Sequence, residues 1–218
     1  MIPQPHRRYV LELLSALGQA ADSFVLVGAQ AMKFTLNQAR ATRDFDFVLD
    51  VIALRKLDIA LADLLGSLGY VADAKARNFQ FEKRIPGSAE VMRIEFMAPE
   101  QYKREGDIRV DVKNGIHARA CTGGAIVVAE SDYYELTGVL PDDIPATVRV
   151  RVARPTALLM MKCLALDDRY RNLRGAKHYE HDREEAAIHA ADIVAIVSAQ
   201  TELEDFRGAF MKQFDGDP

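Results

Sequence analysis

The chain has 218 residues, 49% of them hydrophobic and 28% charged, which supports one substantial core and excludes a disordered or low-complexity protein. A formal net charge of -4 excludes a whole-molecule field that attracts nucleic acid and leaves only local basic grooves for that purpose. The two cysteines, Cys121 and Cys163, are too few and too widely spaced for a disulfide framework or a zinc site, so a reducing, cytoplasmic setting is expected.

Pro5 to Leu17 reads as an amphipathic helix with Pro5 early and Gly18 at its end. Glu12 and the lack of a cleavage motif separate this segment from a signal peptide. No apolar run approaches the roughly 20 residues of a membrane span. Phe24-Val25-Leu26-Val27 is a short apolar run read as a buried strand, followed by a helix over Gln30 to Leu36 and a second strand over Arg43 to Leu49. Leu54 to Leu68 carries leucines and alanines at helical spacing, with Gly69 as the stop.

Three β-like runs follow at Tyr70 to Ala72, Asn78 to Lys83 and Val91 to Met97, with a turn at Pro86-Gly87-Ser88 between the last two. Between Pro99 and Pro155 the pattern predicts strands at Ile108 to Val112, Ala125 to Ala129, Tyr133 to Leu136 and Val148 to Val152. After Pro155 the texture is helical, over Thr156 to Arg169 and Glu184 to Ser198. A boundary is expected near residue 153, dividing a core over 1–153 from a helical subdomain over 154–218.

Chemistry concentrates in Arg40-Ala41-Thr42-Arg43-Asp44-Phe45-Asp46-Phe47. Alternation along a strand sends Asp44 and Asp46 to one face and Phe45 and Phe47 to the other, into a core. Two oxygen ligands side by side suit a hard cation such as Mg²⁺ or Mn²⁺, which takes one or two carboxylates and fills its shell with water and substrate phosphates. Gly28 just upstream lets a phosphate chain approach the backbone at the start of a helix. A two-metal phosphoryl-transfer site wants a third acid. Glu95, flanked by Ile94 and Phe96, is the best placed, with Asp111 in reserve. No P-loop, dinucleotide fingerprint or nucleophile elbow is present. His178 and His181, three apart, have zinc-like spacing but sit in a mixed charge run that reads better as a solvated helix start.

These segments resemble the nucleotidyltransferases of the DNA polymerase β-like superfamily, and within it the AbiEii/AbiGii toxin-like group. The resemblance lies in Val27-Gly28-Ala29-Gln30-Ala31, in Arg40-x-Thr42-x-Asp44-Phe45-Asp46, in Glu95 on an apolar strand, and in a helix bearing Pro155, Leu158, Leu159, Lys162, Ala165 and Arg169. Ala29 stands where the family has a second glycine. Of the late Lys-Asp-x-x-Asp block only Asp192 is kept, with Ile188 and His189 at the earlier positions.

The resemblance implies an α+β fold, a mixed sheet flanked by helices, with the C-terminal helices closing a cleft. It implies that Asp44, Asp46 and Glu95 hold metal and that Gly28, Ala29, Arg40, Thr42, Lys162 and Arg169 face the nucleotide. The implied reaction moves a nucleoside monophosphate from a nucleoside triphosphate to a hydroxyl on RNA, protein or a small molecule, with an antitoxin counterpart. The alternative is a protein of the same fold that has lost activity and binds a nucleotide or partner.

Overall fold

Phe24-Val25-Leu26-Val27 offers no polar side chain to either side, and in the computed structural model it becomes β1 (Phe24–Val27), buried on both faces. The structure describes residues 2, 4–36, 42–57, 59–73, 79–100, 108–111, 115–172, 175 and 178–214, without the side chain of Asp111. Around β1 lie β2 (Asp44–Leu49), β3 (Val71–Ala72), β4 (Gln80–Arg84), β5 (Val91–Pro99), β8 (Ser131–Val139) and β9 (Pro145–Ala153), in the order β3-β4-β5-β2-β1-β9-β8. A further strand, β7 (Ile116–Cys121), runs parallel to the C-terminal end of β5 and carries β6 (Ile108–Asp111) antiparallel to it.

The sheet is mixed: β1 is antiparallel to β2 and parallel to β9, while β2 and β5 are parallel. Helices α1 (His6–Leu17), α2 (Gly28–Thr35), α3 (Val51–Arg55), α4 (Leu61–Ser67), α5 (Gly124–Ala129), α6 (Pro155–Arg171), α7 (Tyr179–Ser198) and α8 (Leu203–Met211) complete an α+β fold. None of the described helices is long and apolar enough to cross a membrane.

Alternation along β2 works as the sequence demands: Phe45 and Phe47 are fully buried on the face opposite Asp44 and Asp46. Phe24 meets Phe47 and Phe96 edge-on, with ring centroids 6.0 and 5.7 Å apart, and Phe81 lies 5.4 Å from Phe96. Each such pair adds about 0.5–1.5 kcal/mol beyond burial, so the strands that carry the acids are pinned in register by aromatic rings behind them.

Several elements differ from expectation. The single helix over Leu54 to Leu68 is two: Asp50 caps α3 by accepting from Ala53 N (3.0 Å), and the chain turns at Lys56 and Leu57 before α4 begins. The periodicity ran on because Leu54, Leu61 and Leu65 all reach the core, whereas Leu57 is exposed. Ala125 to Ala129, rich in β-branched residues, is helix α5. It is seated by the left-handed Gly123 (φ +77°) and by Gly124, whose absent Cβ would lie 2.8 Å from Pro99 Cα. Strand β7 and helix α8 are additions, α2 starts two residues early at Gly28, and β8, β9 and α7 are longer than the sequence pattern implied.

Candidate active site

Register decides which acids meet. Asp46 on β2 is paired with Val27 on β1 and with Glu95 on β5, so the two carboxylates share a face at adjacent positions of neighbouring strands. Asp44, two residues earlier on that face, pairs with Arg93. Thr42 braces the entry to β2: its Oγ1 accepts from Asp44 N (3.2 Å) and its carbonyl accepts from the buried Gln30 side chain of α2 (2.9 Å). Arg40 lies outside the described residues.

Gly28 closes the floor. With φ at +67° it occupies the left-handed region, and a Cβ there would overlap Asp46 Oδ2 and lie 3.3 Å from Asp46 Cγ. The backbone therefore passes against the carboxylate at the first residue of α2, where amide groups point out of the helix start. Ala29 is buried.

Electrostatics mark Asp46 as the focus of this face. Burial, then the neighbouring Glu95, push its carboxyl up to about 7, Asp44 adds to the rise, and Lys162 and Arg119 oppose it. Glu95, with 13% of its side chain exposed, accepts a hydrogen bond on Oε2 from Gln80 Nε2 at 2.6 Å, and its Oε1, which has no hydrogen-bond partner among the described residues, lies 2.7 Å from Arg119 as an ion pair. Asp44 is half exposed, 3.8 Å from Arg93, which also holds Glu82 at 2.6 Å. A cavity of about 260 Å³, lined by Arg43, Asp44, Ala89, Val91 and Arg93, opens beside it.

The C-terminal helices bring a second set of charges. Lys162 on α6 is 8% exposed and pairs with Asp192 on α7 (3% exposed) at 2.8 Å, so it faces α7 while its field still reaches Asp46. Beside that pair, burial and then Lys162 lower His189 to about 4. Arg169, two turns along α6, lies 3.7 Å from Asp168. His178 and His181 are exposed at the start of α7.

Among the described residues no three His, Cys, Asp or Glu side chains are gathered as a ready metal cage. The donor chemistry nonetheless suits a hard cation. Two carboxylates share a strand face, a third lies in register, and burial together with the neighbouring acids raises the middle one, which a bound cation would oppose.

The sequence pattern missed Arg119, Gln80 and the pairing of Lys162 with Asp192. The first had a signal: Ile116, Ala118 and Ala120 alternate with His117, Arg119 and Cys121, a strand pattern hidden by its polar half.

No curated protein matches the sequence. A family model does: the nucleotidyl transferase AbiEii toxin of Type IV toxin-antitoxin systems matches residues 12–215, from within α1 to beyond α8, and so spans the glycine turn, the acidic strands and the helices after β9. The chain belongs to the AbiEii family of nucleotidyl transferase toxins.

Proposed function

We propose that the chain is a metal-dependent enzyme that transfers a nucleoside monophosphate from a nucleoside triphosphate to a hydroxyl of RNA, protein or a small molecule. The observation that carries this reading is the registration of Asp46 beside Glu95 with the Gly28 backbone pressed against Asp46. Asp44, Asp46 and Glu95 are assigned to the metal, Mg²⁺ or Mn²⁺. When bound, it neutralises charge on the phosphates and the leaving group.

The amides at Gly28 and Ala29 receive phosphate oxygens at the start of α2. Thr42 fixes the start of β2, and Arg40, Lys162 and Arg169 supply positive charge towards the nucleotide. The acceptor oxygen bonds to the α-phosphorus as the bond from that phosphorus to the bridging oxygen breaks. The hydroxyl proton passes to solvent and pyrophosphate departs. In this reading residues 1–153 form the catalytic core and 154–218 close over it, in a cytoplasmic protein with an antitoxin counterpart. The free thiols of Cys121 and Cys163 suit that compartment.

A second reading, a catalytically silent protein that binds a nucleotide or partner, draws on Ile188 and His189 in the late block and on Glu95 being held by Arg119. Purified protein with labelled nucleoside triphosphates and a cell extract separates the two. Transfer of label to an extract component that needs divalent metal and is lost in Asp46→Asn supports the enzyme. Label transfer by Asp46→Asn at the wild-type rate removes the site assignment. Metal-dependent thermal stabilisation by a triphosphate without any transfer favours the silent protein.

A further inference from the structure

The two oxygens of Glu95 have neighbours of different character: Oε2 accepts a hydrogen bond from Gln80, whereas Oε1 is buried with an ion-pair contact to Arg119 and no hydrogen bond among the described residues. Gln80 sits directly across the β4–β5 ladder from Glu95, a position fixed by the sheet. Arg119 comes from β7, in register with Met97, two residues past Glu95 on the same face of β5, and reaches back along the strand to Oε1 at 2.7 Å, passing Met97 Sδ at 3.5 Å.

The Arg119 side chain is 51% exposed whereas that of Glu95 is 13% exposed, which sets the cation at the mouth and the carboxylate at the floor. Its charge also acts on Asp46. Arg119 thus supplies to Glu95 and Asp46 the positive charge that a divalent cation would supply, and its own charge repels a cation from the same carboxylates. A long, half-exposed arginine released from a carboxylate finds its best alternative partner in phosphate, whose oxygens match the same planar fork.

Resting on the nucleotidyltransferase reading, we propose that Arg119 is a resident counter-ion of Glu95 that yields to the divalent cation and turns to the polyphosphate of the incoming nucleotide. Arg119 is in this sense a positioning residue that makes metal and nucleotide loading depend on one side chain. It disfavours metal in the empty site and favours nucleotide in the loaded one. Replacing it therefore shifts the two affinities in opposite directions, which the loss of a merely structural ion pair does not do.

The test is calorimetric titration of the full chain with Mn²⁺ alone, and with each of the four nucleoside triphosphates at saturating Mn²⁺. The proteins are wild type, Arg119→Gln and Arg119→Lys, each first checked for cooperative thermal unfolding in EDTA. Removal of a charge-assisted competitor predicts that Arg119→Gln binds Mn²⁺ about tenfold tighter and nucleotide about tenfold weaker than wild type. Arg119→Lys keeps the competing charge but not the fork, so it holds Mn²⁺ as wild type does and binds nucleotide more weakly. It carries the test alone should Arg119→Gln not fold.

Unchanged or weakened Mn²⁺ binding in Arg119→Gln, or unchanged nucleotide binding in either variant, overturns the proposal while leaving the enzyme reading intact. Wild type that binds neither Mn²⁺ nor any of the four triphosphates overturns both.

Discussion

Gly28 combines two constraints that an ordinary side chain violates at once. Its φ of +67° costs a non-glycine residue about 1–2 kcal/mol, and the Cβ would enter the space of Asp46 Oδ2. Gly28→Ala is therefore expected to lower unfolding stability by about 1–3 kcal/mol and to abolish nucleotide-induced stabilisation, because the turn proposed to receive phosphate must move. Denaturant unfolding with and without nucleotide measures both. A variant as stable as wild type would contradict a left-handed backbone pressed against Asp46 at this residue. The sequence could announce Gly28 because glycine before a helix has few structural uses, and it could announce Asp44 and Asp46 because Phe45 and Phe47 fix the facing of the strand. It could mark Arg119 as a strand residue by the alternation around it, but not its contact with Glu95, which depends on a parallel pairing between β5 and β7 that no local sequence pattern contains.

Helices α6 and α7 meet through a buried ion pair, which gives Lys162 a structural role beside the nucleotide-facing one proposed for it. Removing Lys162 takes the paired cation from the buried Asp192 carboxylate, so Lys162→Met is expected to cost about 1–3 kcal/mol, read by urea unfolding. Lys162→Met with Asp192→Leu replaces the pair by apolar groups and should recover most of that loss while leaving nucleotidyl transfer impaired. Recovered transfer in the double variant would reduce Lys162 to a scaffold role. The same element shows where sequence pattern succeeds and where it fails. Leu158, Leu159 and Met160 reach the core and give α6 a legible helical signature. The start of α7, Tyr179 to Arg183, is largely polar and exposed, so nothing in hydrophobic periodicity marks it as helix. Helix α8 has no fully buried residue and is held instead by half-buried Phe206 and Phe210, too thin a stripe to be seen among its charges. At α5 the local β-branched preference pointed the wrong way, because packing of Gly124 against Pro99 overrides propensity.

Across the whole molecule two groups displaced in opposite senses couple stability to pH. Asp46 is raised from 3.8 to about 7, by burial and by Glu95 and Asp44 against Lys162 and Arg119. The folded state thus holds a proton that the unfolded state has released, and this stabilisation is full below about pH 3.8 and lost as pH rises through about 7. His189 is lowered from 6.5 to about 4, by burial and by Lys162 and Arg169 against Glu185 and Asp192. The unfolded state thus takes up a proton that the folded state refuses, and stability falls as pH drops from 6.5 towards 4. In metal-free protein the two slopes oppose one another between about pH 4 and 6.5, and each single variant should expose the other. Relative to wild type, Asp46→Asn gains stability as pH rises through that window and His189→Gln gains it as pH falls, each by about 1–3 kcal/mol once solvent screening is allowed for. Saturating Mg²⁺ should reverse the first trend alone, because a cation favours the ionised Asp46 and competes with its proton. Thermal unfolding of the three proteins from pH 4 to 8, in EDTA and in Mg²⁺, checks the set. An Asp46→Asn protein whose pH dependence parallels wild type in EDTA would mean that the carboxylate is already ionised in the empty site, and that Arg119 and Lys162 outweigh burial and its two acidic neighbours together.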